Sequence, residues 1–434
     1  MSEDLEGSSA AETSSKEDDL QKAASTWKSQ LRTAGCFCLM VVAVHLVASP
    51  NVQLSQWHVS KENQALLEAR AWLDGRLDVD AWRDGRTASS SRIHDTALYA
   101  DKLYNVYPPM FTFLSVVALA AGNVMGVPAG EFYPPWYVGL IALPLPFIGF
   151  WAFLQIVRRA EWAAVLTAYW LLGTPMQPML NGCSFGSINC IHHVLATAGL
   201  LLIVGDLMGR KRIWPAAIGL LIAAWSRQLT ILYGLAIVWV AWRSTECGRR
   251  KVVLAFGSLT LAAGTLMFLS WQKFDSPFES GYRYLYEGRE ESWYGRRAIS
   301  HGLFSLHFLS ENAWYMNLSP PKFRFSPAYL QQDNDTLGVS IWMTSPVLLA
   351  GFLGIRRWRR NSVAGVLMAV SLVVIFMLLT YHNPGSPQVG YFRFALDFLP
   401  VWMGVTALWV TSGWRRHATL ACLAWSALYF HMLF

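Results

Sequence analysis

Charge is scarce in this chain. Only 15% of its 434 residues are Asp, Glu, Lys or Arg, while 54% are hydrophobic and 21 are tryptophan. Soluble domains carry about 25% charged residues, so a soluble globule of this length is excluded. Cysteine is sparse too: the six present form no framework with His at ligand spacing, and no structural metal centre is expected. No Walker loop and no dinucleotide fingerprint occurs. Energy for any chemistry must therefore arrive with the substrate. No clear internal repeat is visible, which counts against the inverted-repeat architecture of a secondary transporter. The net charge of +7 sits in short clusters between apolar blocks, so it reports membrane topology and not a nucleic-acid partner.

Apolar blocks lie near 34–49, 110–127, 136–157, 160–178, 188–208, 213–226, 229–242, 252–271, 338–355, 362–380, 395–411 and 417–434. Many approach the length a helix needs to cross hydrocarbon. The expected fold is an all-α polytopic membrane protein, a bundle of about 11–12 transmembrane helices. Residues 1–33 read as a disordered cytoplasmic tail rich in Ser, Glu and Asp, and 34–434 as the transmembrane domain. Arg158-Arg159, Arg210-Lys211-Arg212, Arg249-Arg250-Lys251, Arg356-Arg357-Trp358-Arg359-Arg360 and Arg415-Arg416 should face the cytoplasm. They do so together if block 110–127 lies along or dips into the outer face, leaving eleven crossings. Two large polar segments, 50–107 and 272–337, are then both extracytoplasmic, on an integral plasma-membrane protein. Long loops of this kind usually carry function.

In the first loop, Ala65, Leu66, Ala69, Trp72 and Leu73 recur at helical spacing, with Gly75 placed to end the helix. Beyond it, His94, Asp95, Asp101 and Lys102 stand among Tyr99, Tyr104 and Tyr107. A carboxylate among aromatic rings suits a sugar, and the same group can deprotonate an acceptor hydroxyl. A solvated loop with interfacial tyrosines is the alternative. Arg227 lies between two apolar blocks with no acid nearby in sequence. A guanidinium near hydrocarbon has a partner or snorkels, and a lipid phosphate is a natural partner. The second loop opens with Asp275, Glu279 and Arg283 among aromatics, as a lid, an acceptor platform or plain packing. His382 and Arg393 mark the last outer loop. Arg393 either pairs with Asp397 four residues on or is a second phosphate ligand.

These segments resemble the superfamily C (GT-C) membrane glycosyltransferases, which include protein O-mannosyltransferases, lipid A aminoarabinose transferases and the bacterial RgtA/B/C/D-like group. The likeness lies in WLDGRLDVD, YNVYPPMF, FDSPFESGYRY and GYFRFALDFLP and spans roughly residues 34–410. It implies an inverting glycosyltransferase that takes sugar from a polyprenyl-phosphate donor, outside the membrane. The acceptor would be a glycan, lipid or protein, and some relatives use a divalent metal. The family's early acidic pair is Lys61-Glu62 here, and a Lys of some members before Pro-Pro is Tyr107. The resemblance thus leaves Glu62 or Asp95 as base and Arg227, Arg393 and Lys102 as phosphate ligands. Tyr104, Tyr107, Asp275, Glu279, Arg283 and His382 are the expected substrate contacts. A lipid-linked polysaccharide polymerase or ligase, or a secondary transporter, is the alternative.

Overall fold

The protein is described by a computed structural model, with backbone given for residues 27, 29–33, 35, 38, 64–79, 95–126, 141, 143–184, 188–244, 248–287, 290–321, 323–325, 330–332, 338–353, 361–384, 393–409 and 414–432. Helix dominates. The first loop supplies α1 (Gln64–Leu73) and a hairpin of β1 (Thr96–Tyr99) and β2 (Lys102–Asn105). The bundle follows as α2 (Met110–Met125), α3 (Pro144–Val157), α4 (Ala160–Leu172), α5 (Met176–Ser184), α6 (Ile188–Met208), α7 (Trp214–Ala224), α8 (Tyr233–Arg243) and α9 (Gly248–Phe274). The second loop holds α10 (Tyr282–Tyr286), α11 (Trp293–His301), α12 (Leu309–Asn317) and a second hairpin, Phe323–Phe325 with Leu330–Gln332. The chain closes through α13 (Ile341–Thr344), α14 (Ala350–Leu353), α15 (Ser362–Leu379), α16 (Leu399–Ala407) and α17 (Trp414–Met432).

Among the described residues the apolar blocks from 110 onward become helices, with three refinements, while block 34–49 lies almost entirely outside the described residues. Both polar loops contain strands, so the chain is not wholly helical; positive φ at Ala100 (48°) and Asp101 (60°) turns the first hairpin tightly. Block 338–355 is not one helix: it breaks at Ser345-Pro346, where Ser345 Oγ donates to the Gly173 carbonyl at 2.9 Å. Blocks 213–226 and 229–242 are helices of 11 residues each, about 16 Å long at 1.5 Å per residue. The first-loop helix ends as its pattern requires, with Gly75 at φ 73°.

Among the described residues three helices are long and apolar enough to cross a membrane: Cys190–Met208, Gly248–Phe274 and Ser362–Leu379. Met110–Met125, Pro144–Val157, Trp214–Ala224 and Gln228–Arg243 are apolar but shorter. The expected eleven crossings thus exceed what helix length alone supports. Helix α6 is the axis, 94% buried over its apolar window, whereas α9 lies outside with 17% buried. Close approach explains the axis. A Cβ on Gly199 would fall 2.5 Å from the Gly219 carbonyl oxygen, so glycine lets α6 and α7 touch backbone to backbone.

Helix contacts sort the chain into two ends. Lys211, Arg243 and Ser362 surround one cavity, so the links after α6 and α8 and before α15 share an end. Gly209 packs on Gln155, which brings the Arg158-Arg159 link there. Arg415 stacks over Trp409 beyond the far end of α16. The described basic clusters therefore gather opposite the cavity described next; residues 356–360 lie outside the described residues.

Candidate active site

Both polar loops meet at the other end of the bundle. A buried ionic node joins their roots. Glu68 on α1 meets Lys273 at the close of α9 at 2.5 Å, both side chains being buried. Its other oxygen accepts from Asn105 Nδ2 at 2.7 Å and Thr112 Oγ1 at 2.6 Å. Lys273 also donates to the Asn105 carbonyl at 3.0 Å. Glu68 is thus a structural carboxylate, neutralised and fully engaged. Asn105 passes the order onward, because its Oδ1 accepts from the Tyr107 amide at 3.1 Å.

The Tyr107 phenol donates to Asp95 Oδ2 at 2.6 Å. Asp95 sits at φ 59° just ahead of β1, a left-handed conformation that Asp tolerates. Burial, then the Asp95 charge, hold the Tyr107 phenol well above its ordinary range, so it stays a donor. Tyr107 stacks on His192 of α6, ring centres 5.0 Å apart and 13° between planes. Asp95, Tyr107, His192, His193, Arg227, Tyr282, Tyr381, Arg393 and Phe394 surround one cavity of about 180 Å³.

Arg227 follows the close of α7. Its Nε donates to both oxygens of Asp397 (3.2 and 3.1 Å) and its Nη2 to Oδ2 (2.9 Å). Asp397 is completely buried, while the Arg227 side chain keeps 20% exposure. The partner is therefore Asp397, reached across 170 residues. Of the two alternatives for Arg393, the helix pair with Asp397 is not made among the described residues, because residues 393–397 form a 3-10 turn and not an α-helix. Fork geometry places Nε and Nη2 on the carboxylate, and Nη1 makes no hydrogen bond among the described residues. The guanidinium also covers the Phe394 ring at 4.8 Å. His193 Nδ1 lies 3.8 Å from Asp397 Oδ1, and Arg393 is buried beside them.

A second, smaller space of about 100 Å³ adjoins, sharing Arg227, Tyr282 and Tyr381 with the first. Its other walls are mainly apolar: Pro108, Leu229, Leu303, Phe304 and Leu378. Burial pushes the Tyr282 phenol up to about 12, so it too remains a donor.

Of the sequence-derived site residues, Asp95, Tyr107, Arg227 and Arg393 come together. Glu62 lies outside the described residues. The others are placed elsewhere, each for a local reason. Lys102 is exposed at the hairpin turn, where it pairs with Tyr99. Tyr104 packs with Phe274 in a small satellite core. Asp275 accepts from the Tyr99 hydroxyl at 3.1 Å, and Glu279 accepts the Gly281 amide at 2.8 Å to close the turn before Tyr282. Arg283 makes an exposed pair with Glu287 at 3.6 Å. His382 is buried against Tyr286 and Tyr381, and burial lowers its imidazole to about 4. Its amide donates to Leu303 O at 2.8 Å, and its carbonyl accepts from Arg297 Nε at 2.8 Å. Among the described residues no three His, Cys, Asp or Glu side chains converge as a metal site.

Sequence reasoning missed His192, His193, Tyr282 and Tyr381. The adjacent imidazoles inside the apolar block 188–208 were the available signal, since polar groups in such a helix usually serve function. The chain matches no protein-family model, no curated protein and no solved structure. The superfamily C likeness therefore rests on the segments quoted above.

Proposed function

We propose that the chain is a membrane glycosyltransferase that moves a sugar from a polyprenyl-phosphate donor to an extracytoplasmic acceptor, with inversion. One observation carries this reading: a carboxylate, two guanidiniums and several tyrosines from distant segments line one cavity, beside an apolar space that shares Arg227. The donor phosphate meets the open Nη1 edge of Arg227 and the Arg393 guanidinium, while the prenyl chain leaves past Leu229, Leu303 and Leu378. Asp95 takes the proton of the acceptor hydroxyl. The resulting oxygen bonds to the anomeric carbon as the bond from that carbon to the phosphate oxygen breaks. The lipid phosphate leaves with the electron pair, and the guanidiniums stabilise its charge. A single displacement of this kind inverts the sugar.

The separation of basic clusters from the cavity supports an extracytoplasmic, multi-pass arrangement, because basic links stay in the cytoplasm. The cavity volume of about 180 Å³ is below the roughly 300–1,000 Å³ of ordinary ligand pockets, which favours one sugar ring over a whole lipid-linked glycan. Transfer from a labelled polyprenyl-phosphate sugar by purified protein tests the reading. Wild-type protein should transfer label, Asp95→Asn should lower turnover at least a hundredfold, and Glu62→Gln reports whether the family's usual base position contributes. No transfer from any such donor, together with substrate uptake into vesicles, would replace the reading with a transporter.

A further inference from the structure

At the opposite end of the bundle, basic side chains from separate links converge on a cavity. Lys211, in the link after α6, and Arg243, the last residue of α8, border a space of about 460 Å³ together with Trp239, Ser244 and Ser362. Lys251 of α9 donates from Nζ to Ser244 Oγ at 3.0 Å, which brings a third cation to the rim. The turn itself places Lys211: its φ is 55°, and its amide donates to the Asp206 carbonyl at 2.8 Å. The Arg243 guanidinium lies over the Trp239 ring at 5.6 Å, within cation–π range. No carboxylate borders this space among the described residues. Asp206, the acid just before Lys211 in the chain, accepts instead from the amides of Arg212 and Ile213 at 3.0 and 2.8 Å. A cleft walled by one sign of charge concentrates the opposite ion. An ammonium, a guanidinium and hydroxyl groups around one space suit the oxygens of a phosphate.

The surface beside the cavity selects the source of that phosphate. On α8, Leu235, Trp239 and Trp242 recur at i, i+4 and i+7, one face of the helix. Leu235 is 56% and Trp242 73% exposed, so an apolar stripe runs along the outside of the bundle to the Arg243 end. A free phosphate makes no use of such a stripe, whereas a phospholipid lays its acyl chains along it. A zwitterionic headgroup brings a further cation among those already there, which leaves an anionic one.

The geometry points to a binding site for an anionic phospholipid: its phosphate between Lys211 and Arg243, its headgroup beside Ser244 and Ser362, and its acyl chains along Leu235 and Trp242. Topology alone asks only that basic links stay in the cytoplasm. A basic pocket between helices at that face is what takes up an anionic headgroup. The assignment rests on the membrane reading above and is independent of sugar transfer.

Native mass spectrometry of the detergent-purified full chain tests it, with phosphatidylglycerol and phosphatidylcholine of equal chain length and with inorganic phosphate. Phosphatidylglycerol should bind at least tenfold more tightly than phosphatidylcholine, and excess inorganic phosphate should not displace it. Lys211→Gln/Arg243→Gln should lose about tenfold or more of that affinity, since each basic group near an anionic headgroup contributes about fivefold, with the lipid-free Tm unchanged. Arg158→Gln/Arg159→Gln removes the same charge from the same end but outside the cavity, and should bind as wild type does. Equal losses in the two double variants reduce the cluster to topology and overturn the site, as does equal binding of the two lipids. Displacement by inorganic phosphate overturns the lipid assignment in favour of a free phosphate ligand. Where the double variant fails to fold, Lys211→Gln alone should lose about fivefold, and unchanged binding overturns the site. Protein that fractionates in solution without detergent overturns the membrane reading, and the lipid site with it. A failed lipid test on detergent-extracted protein that still transfers sugar overturns the site alone.

Discussion

The Glu68–Lys273 pair and the Arg227–Asp397 pair lie at the same end of the molecule and are finished differently. Around Glu68 every direction is closed: Lys273, Asn105 and Thr112 meet the carboxylate, and the ammonium also reaches a carbonyl. Around Asp397 the acid is sealed, but the arginine keeps one edge on a cavity. A buried charge pair alone does not mark a functional site. The distinguishing feature is an unspent donor facing a space. By that criterion the first pair joins the roots of two loops, and the second turns a cation toward the cavity, where we propose the donor phosphate binds.

The largest contrast is expected at Lys273. Lys273→Met strands the Glu68 carboxylate in the interior and should cost about 3–5 kcal/mol, read as a lowered Tm, with turnover per folded molecule unchanged. Combining it with Glu68→Gln should restore much of that loss. Arg227→Lys should do the reverse. It retains the charge opposite Asp397 but lacks the planar fork, so turnover should drop by about 10²–10³-fold with a small change in Tm. A loss of stability equal to that of Lys273→Met would erase the distinction between the pairs.

Acid stability gives a subtler comparison. His382 is buried and its imidazole lies at about 4, below the ordinary 6.5. The unfolded chain therefore binds a proton that the folded chain refuses, and stability should fall as pH drops from about 6.5 toward 4. His382→Phe should flatten that limb of a Tm-versus-pH curve. Smallest of all, Arg283→Ala removes only an exposed pair, worth about 0–1 kcal/mol, and should leave both Tm and transfer nearly unchanged.

Local pattern carried the helices, because apolar blocks and basic links are readable over a few turns of chain. It also isolated Arg227, whose lack of a nearby acid in sequence marked it as unusual. What it could not supply was the partner, since Asp397 is brought in only by tertiary packing. The same limit explains Glu68, whose ionic node is assembled from α1, β2, α2 and α9. Asp275, Glu279 and Arg283 carried the right residue types for a binding site, but Asp275 ties to Tyr99 of the first loop, Glu279 closes a backbone turn of its own loop and Arg283 stays on the surface. Asp95 and Tyr107 were legible as members of one segment of acids and tyrosines, but their pairing is made by the hairpin that folds between them.

The most direct test of the central claim is binding of polyprenyl phosphate, without sugar, to wild-type, Arg227→Lys and Lys102→Ala protein. Arg227→Lys should weaken binding at least tenfold, and Lys102→Ala, on the exposed hairpin, should bind as wild type does. Equal affinity for wild type and Arg227→Lys, or a loss confined to Lys102→Ala, would contradict a phosphate held at the open edge of Arg227.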